Sequence, residues 1–259
     1  MRHLLSGLLR LCAALVAISL PIYAQSAPPP KTNSVPPDLS GLWDPEGKAP
    51  WPKLLFTREE PPMLPWAAAR YKEIRKDLKP LTAENPDEGR TDLDPAPYPY
   101  CMPYGFPRVY ASTDLFEIVP TEGVIYILFE SNNVQHIYTD GRKYPPGTPL
   151  TFMGQSIGRW EGDTLVVETK DMNGLTWIDG MGHPHTDALR VEQHFRRVDH
   201  DTLEINFLFD DPKTYSKPWG GKKIYKLRPS NEVVMNYFLC EYPMTQDFDA
   251  KVLHKTKDQ

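Results

Sequence analysis

The chain has 259 residues, of which 40% are hydrophobic and 11% aromatic, and its formal net charge is −5. An acidic chain has no electrostatic basis for binding nucleic acid or an anionic membrane surface. The length suits one large β domain or two small ones, and the 28 prolines predict long irregular loops.

The first 24 residues have the pattern of a secretory signal peptide. Arg2 and Arg10 precede or enter an apolar run over residues 11–20, and the segment ends in the small residue Ala24. The apolar run is shorter than the roughly 20 residues that a membrane span needs. We therefore predict cleavage after Ala24, a periplasmic or secreted protein, and no membrane span in the mature chain.

Two cysteines, Cys101 and Cys240, remain after the predicted cleavage, because Cys12 leaves with the signal peptide. An even number of cysteines in an oxidising compartment predicts a disulfide between them. Two buried free thiols are the alternative.

The mature chain begins with a flexible proline-rich segment over residues 25–38, and residues 39–259 are predicted to form a single domain. A first strand is expected over residues 38–43. Residues 65–76 predict one helix, with Pro65 in its first turn. Residues 81–107 are rich in proline and predict a long loop, which is functional or tied down because ordinary connections are shorter.

From residue 114 onward, apolar residues alternate with polar ones and turn residues separate the runs. The central hairpin covers residues 154–169 and turns at Glu161-Gly162-Asp163. Further strands are predicted at 115–119, 124–130, 134–138, 188–198, 202–210, 222–227 and 233–239. Together they predict a mainly β fold, an antiparallel barrel or strongly curved sheet of eight or nine strands.

Several phrases of the chain resemble a large group of exported, functionally uncharacterised bacterial proteins, over about residues 38–242. The phrases are Cys101-Met102-Pro103-Tyr104-Gly105-Phe106-Pro107-Arg108, Tyr138-Thr139-Asp140-Gly141-Arg142, Met153-Gly154 to Thr169, Gly182-His183-Pro184-His185-Thr186-Asp187 and Asp210-Asp211-Pro212-Lys213-Thr214-Tyr215. This resemblance implies export and one domain, and names no reaction. The Arg159-Trp160-Glu161-Gly162-Asp163 hairpin is also similar to those of lipocalin-like barrels, at the level of the fold.

A polar cluster follows the central hairpin, and His185 is its first candidate for chemistry. An imidazole can exchange a proton near neutral pH, and a carboxylate can orient it. Asp179 and Asp187 are the candidate orienting groups, and Glu192 on the next strand is a candidate second carboxylate. The alternative is a histidine that caps a turn in a surface loop.

His183 and His185 form a His-X-His pair that could chelate a metal from an extended strand. No third ligand is indicated by spacing, so we predict no metal site. Ser156 lies in a Gly-X-Ser-X-Gly motif, but a catalytic serine there requires a strand followed by a helix, and a β-hairpin follows instead. No nicotinamide, flavin or haem motif occurs, so no cofactor is predicted.

Aromatic residues crowd the loops and could form the wall of a pocket for a ligand. Arg159 could bind an oxyanion if it points inward, and an exterior salt bridge is its alternative. The candidate substrate-binding residues are Arg159, Trp177, Tyr104, Phe106 and Trp219. Packing of the aromatic loops over the barrel mouth is the other explanation.

These residues favour a cofactor-independent acid–base enzyme of the lyase, isomerase, cyclase or hydrolase type, acting on a hydrophobic or aromatic small molecule. A non-catalytic lipocalin-like binding protein is the first alternative, and a structural or adhesive envelope protein is the second. The enzyme requires His185 at a pocket and beside a carboxylate. The binding protein instead predicts His185 outside the pocket or bonded only to backbone.

Overall fold

A computed structural model of the chain describes residues 36–46, 54–75 and 103–229. Within these ranges nine strands close into a barrel and follow one another around it in chain order. The strands are β1 (Gly41–Pro45), β2 (Phe116–Thr121), β3 (Val124–Phe129), β4 (Val134–Tyr138), β5 (Gln155–Glu161), β6 (Thr164–Lys170), β7 (Arg190–Asp199), β8 (Thr202–Asp210) and β9 (Trp219–Arg228). The predicted barrel is confirmed.

Strand β1 closes the ring, because it pairs antiparallel with β2 on one side and with β9 on the other. The predicted central hairpin is also confirmed: Arg159 pairs with Val166 across β5 and β6. Alternation of buried and exposed residues accounts for both, since one face of each strand must fill the barrel interior.

One pairing departs from the antiparallel prediction. Strands β4 and β5 are parallel, with Ile137 opposite Ser156 and Tyr138 opposite Ile157. The residues Thr139-Asp140-Gly141-Arg142 favour a hairpin turn into the next strand. The chain instead runs through residues 139–154 before pairing, as a parallel neighbour requires a crossover longer than a hairpin turn.

One α-helix, α1, covers Pro65–Arg75 and matches the predicted helix closely. Its buried residues, Ala67 and Ile74, lie two helical turns apart on one face. The Trp66 indole donates to the Lys213 backbone oxygen at 2.8 Å and holds the start of the helix near the loop after β8. No helix in the described ranges has the length and apolar character needed to cross a bilayer.

The barrel interior is filled by the chain itself. A short 3-10 helix, Arg108–Tyr110, is fully buried, and Tyr110 makes edge contacts with Phe116, Phe129 and Phe207 at 5.0–5.7 Å between ring centroids. Because protein interiors are close-packed, these side chains take the space that a ligand would occupy in an open barrel.

A buried polar layer crosses this aromatic interior. The Tyr110 hydroxyl donates to Gln135 Oε1, and Gln135 Nε2 donates to Ser156 Oγ at 2.9 Å and Gln193 Oε1 at 3.0 Å. Ser156 Oγ and Thr169 Oγ1 lie 2.8 Å apart. Ser156 is therefore a member of this interior layer, in agreement with its interpretation as a non-catalytic serine.

The close contact between strand β9 and the backbone around Phe56 depends on a glycine in the strand. A Cβ atom at Gly221 would lie 1.9 Å from the Phe56 carbonyl oxygen, so only glycine lets the segment around Phe56 approach the strand. The Phe56 ring then packs against Phe207 and Phe209 at 4.6 and 4.8 Å. This segment leads the chain toward α1 at one end of the barrel.

Several predictions lie outside the described residues. These are the signal peptide over residues 1–24, most of the segment 25–38, the strand at 233–239, and the disulfide between Cys101 and Cys240. They remain predictions.

The polar layer makes a testable prediction about stability. Tyr110→Phe should lower the free energy of unfolding by about 1–3 kcal/mol, because the buried Gln135 Oε1 loses its donor. Urea denaturation would measure it. The control is Tyr138→Phe on the barrel exterior. The Arg142 guanidinium lies 3.8 Å from the centroid of this ring, and phenylalanine keeps the ring and therefore the contact. Equal losses in both variants would contradict the role of the layer.

Candidate functional site

The candidate site lies at the barrel end where β6 and β8 stop and β7 and β9 start. Residues 177–184 form a tight loop there: Trp177 pairs with Pro184, and the Ile178 N–H donates to the His183 oxygen at 2.8 Å. Gly182 has a φ of 92°, which glycine adopts without strain, and it closes the turn. The fold of this loop brings Asp179 and His183 face to face.

Asp179 and His183 form a buried pair. His183 Nδ1 lies 2.7 Å from Asp179 Oδ2, and the two side chains are 5% and 1% exposed. Asp179 Oδ1 also accepts from the Met181 and His183 backbone N–H groups at 3.0 and 3.4 Å. Burial by itself would raise the pKa of Asp179, but its interaction with His183 and the backbone donors outweigh that effect, so the pKa lies below its ordinary value.

The ionised Asp179 carboxylate can only accept hydrogen bonds, so the proton of a neutral His183 lies on Nδ1. Nε2 then carries the lone pair. This atom is buried and has no hydrogen-bond partner among the residues that the structure describes. A buried imidazole oriented by a carboxylate, with its second nitrogen unengaged, is the arrangement of a general base.

Aromatic rings surround His183. The Tyr71 ring of α1 stacks on the imidazole at 4.4 Å, with 9° between the planes, and the Trp219 ring lies 6.0 Å away. Tyr215 lies 5.3 Å from Trp219 and donates its hydroxyl to the Pro184 oxygen at 2.8 Å. Burial raises the pKa of Tyr71 to about 12, so its phenol stays neutral at neutral pH.

Helix α1 forms the roof of this site. Arg75 Nη1 donates to the Met181 oxygen at 3.3 Å, and the Arg70 guanidinium lies 5.8 Å from the centroid of the Trp177 ring. A Cβ atom at Gly182 would lie 3.1 Å from Ile74, which shows how closely the helix approaches the loop. A ligand that reaches His183 would therefore contact residues of α1.

Asp211 holds the other side of the site. This buried carboxylate accepts from the Thr186 backbone N–H and the Thr214 hydroxyl, both at 2.7 Å, and from the Lys213 backbone N–H at 3.0 Å. It thereby ties the end of the 177–187 segment to the loop after β8. Its role is to position the loop that carries His183.

His185, the leading sequence candidate, is buried but makes other contacts. Its Nε2 lies 3.3 Å from Thr176 Oγ1 and its Nδ1 lies 3.1 Å from the Thr186 backbone oxygen. Both ring nitrogens are therefore engaged, and the predicted pairing of His185 with Asp179 is wrong, because Asp179 pairs with His183. Asp179, which was expected to orient His185, lies against the other histidine of the His-X-His pair.

The other two candidate carboxylates lie elsewhere. Asp187 is exposed and pairs with Lys213 at 2.8 Å. Glu192 lies on the outer face of β7 and pairs with His194 at 2.6 Å, both side chains being about 40% exposed. Neither carboxylate joins the Asp179–His183 pair.

The candidate substrate-binding residues separate into three groups. Trp219 and Trp177 lie at the site, next to His183 and in its loop. Phe106 is fully buried and belongs to the barrel core, and half-buried Tyr104 packs against that core. Arg159 points outward and pairs with Glu161 at 2.7 Å, so the exterior salt bridge is observed in place of the inward orientation.

A separate cleft of about 340 Å³ opens beside the site. Its lining residues are Lys170, Asp171, Asp187, Ala188, Leu189, Arg190, Asp210 and Pro212. Neither His183 nor His185 lines it. In the described part of the chain, no group of three or more His, Cys, Asp and Glu side chains could hold a metal ion.

Sequence reasoning missed His183 as the partner of Asp179 and Tyr71 as the ring that stacks on it. The four-residue spacing of Asp179 and His183 was visible, but the same loop offered His185 at a similar distance from Asp179. Tyr71 was noted only as part of the apolar face of the helix.

The buried state of His185 predicts a pH dependence of stability. Burial lowers the pKa of His185 from its ordinary 6.5. Below that pH the unfolded chain takes up a proton that the folded chain resists, so the free energy of unfolding falls as the pH drops, by at most about 1.4 kcal/mol per pH unit. Above pH 6.5, where the histidine is neutral in the unfolded chain as well, this loss of unfolding free energy disappears.

His185→Gln should therefore flatten the change in unfolding free energy between about pH 7 and about pH 5, the range in which histidines titrate. Urea denaturation at both pH values measures the slope. His200→Gln is the control, because its side chain is 83% exposed. An unchanged slope in His185→Gln would contradict the prediction.

No family model matches the chain, and no curated protein matches it. The function proposed below therefore rests on the residues and geometry of the Asp179–His183 site.

Proposed function

We propose that the protein is an exported, cofactor-independent acid–base enzyme that acts on a hydrophobic or aromatic small molecule. The observation that carries the proposal is the buried His183, with Nδ1 bound to Asp179 and Nε2 without a partner. The reaction class is proton transfer, as in a lyase, isomerase, cyclase or hydrolase.

In this mechanism His183 Nε2 removes a proton from the substrate. The imidazolium that forms is stabilised by the Asp179 carboxylate, which lies 2.7 Å from Nδ1 and is itself held by two backbone N–H groups. Since neither group has to reorient, little of the proton-transfer barrier goes to reorganisation. His183 then returns the proton to another atom of the intermediate or product.

The surroundings support an apolar substrate. Tyr71, Trp219 and Tyr215 present aromatic surfaces around His183, and planar rings pack well against such surfaces. The buried site also has a low dielectric constant, so hydrogen bonds and charge interactions between the base and the substrate are stronger there than in water. Export is part of the proposal and follows from the pattern of residues 1–24.

The non-catalytic binding protein is the alternative proposal. A lipocalin-like ligand would enter the barrel interior, but Phe106, Tyr110 and the rings around them fill that space. A bound ligand would then lie under α1, beside the same histidine. Binding without conversion would distinguish this protein from the enzyme.

The proposal predicts that His183→Gln removes catalysis. A panel of uncharged aryl ketones, lactones and esters in D₂O would be followed by proton NMR for C–H to C–D exchange and for new products. For any compound that the wild-type protein converts, His183→Gln should lower the rate about 10²–10⁴-fold, the usual contribution of general acid–base catalysis. Asp179→Asn should lower it as well, because the imidazole loses its orienting acceptor.

The matched control is His194→Gln, which removes a histidine paired with a carboxylate on the barrel surface. It should leave the rate unchanged. The acid–base function would be refuted if His183→Gln converted the compounds at the rate of the wild-type protein, or if no compound of the panel showed a difference in rate between the two proteins.

A further inference from the structure

Two unpartnered polar atoms occur together at the candidate site. His183 Nε2 and Trp219 Nε1 are both buried and make no hydrogen bond to any residue in the described ranges, and their rings lie 6.0 Å apart with 60° between the planes. Leaving a buried polar atom unsatisfied costs about 1–3 kcal/mol. Since most buried polar atoms in folded proteins are bonded, two orphans on neighbouring rings indicate a place that a polar ligand completes.

The two atoms have opposite hydrogen-bonding character. The indole N–H of Trp219 can only donate, whereas Nε2 of a neutral His183 accepts, because its other nitrogen carries the proton toward Asp179. A ligand that satisfies both must present an acceptor and a transferable proton on neighbouring atoms. Carbonyl compounds with an adjacent acidic hydrogen and amides have this arrangement.

The rings around the two atoms define the rest of the ligand. Phe209 packs against Trp219 at 4.6 Å, and Tyr71 stacks on His183 at 4.4 Å. The Trp219 side chain is only 8% exposed, so the ligand leaves water when it binds. Because aromatic rings pack well against one another, a ligand among these side chains is expected to carry a planar, uncharged aromatic body next to its polar group.

We propose that Trp219 is a substrate-binding residue of this site, and that its N–H donates to the carbonyl oxygen of a planar aromatic substrate whose adjacent proton is taken by His183 Nε2. The inference rests on the proposed function. The C–H bond breaks and its proton moves to Nε2, while its electron pair forms a C=C bond and the carbonyl π pair moves onto oxygen. The Trp219 N–H then donates to an enolate oxygen, where a hydrogen bond is stronger than it is to the ground-state carbonyl.

The direct test uses benzamide, which carries a carbonyl oxygen and an N–H on an aromatic ring, and toluene, which carries the same ring without them. The indole N–H resonance of Trp219, identified by its loss in Trp219→Phe, should shift on titration with benzamide and stay in place with toluene. This measurement is made on the wild-type chain and does not depend on how well the variant folds. Trp219→Phe should weaken benzamide binding about tenfold, the equivalent of one buried hydrogen bond.

The kinetic test separates substrate binding from structure. For an aryl ketone that exchanges its α-proton in a His183-dependent reaction, Trp219→Phe should lower kcat about 10²-fold or more, as loss of an oxyanion donor does. The pH profile of the rate should remain that of the wild type, because the base is unchanged. Trp160→Phe is the matched control, since Trp160 lies opposite Leu165 beside the β5–β6 turn, at the barrel end away from the site, and the same chemical change there should have no effect on either measurement.

The outcomes distinguish the two proposals. An indole resonance that ignores benzamide, together with wild-type exchange in Trp219→Phe, would overturn the role of Trp219 and leave the role of His183 intact. An indole N–H that responds to benzamide, in a protein without His183-dependent exchange, would support the Trp219 contact and refute the acid–base enzyme. An indole N–H that exchanges with bulk water at the same rate with and without benzamide would show a solvent-bridged pair and overturn the inference.

Discussion

The packing of Tyr110 into the centre of the barrel is the contact on which the rest of the structure depends. A closed ring of nine strands encloses a volume that must be filled or hydrated. The segment around the Arg108–Tyr110 3-10 helix fills it with aromatic side chains, and the Tyr110 hydroxyl also satisfies Gln135. Tyr110 therefore fills apolar volume with its ring and donates the hydrogen bond that joins the ring to the buried polar layer.

Filling the interior moves the candidate chemistry to one end of the barrel. There the loops after β6 and β8 meet helix α1. Buried hydrogen bonds that the Asp211 and Asp179 carboxylates accept, and one that the Tyr215 hydroxyl donates, hold the two loops in place. These bonds are buried, unlike the surface ion pairs, which contribute little to stability. A loop held in this way keeps the buried His183 in one orientation.

The two histidines of the His-X-His pair illustrate how local contacts divide similar residues into different roles. His185 is satisfied by Thr176 and Thr186, so its burial favours the neutral form and adds a pH dependence to stability. His183 Nδ1 is hydrogen-bonded to the Asp179 carboxylate, and the lone pair of a neutral His183 then lies on Nε2. The first arrangement stabilises a loop, and the second supports proton transfer.

The sequence by itself determined the mainly β fold, the helix, the strands and the region of the candidate site. Strands β4 and β8 have the predicted bounds, because alternation with a period of two is a local property that a short run of residues carries in full. Only the tertiary structure decided the parallel β4–β5 pairing, the burial of Tyr110 in the barrel and the choice of His183 over His185. Each of these depends on contacts between residues far apart in the chain, such as Tyr71 on His183, and periodicity carries no information about such partners.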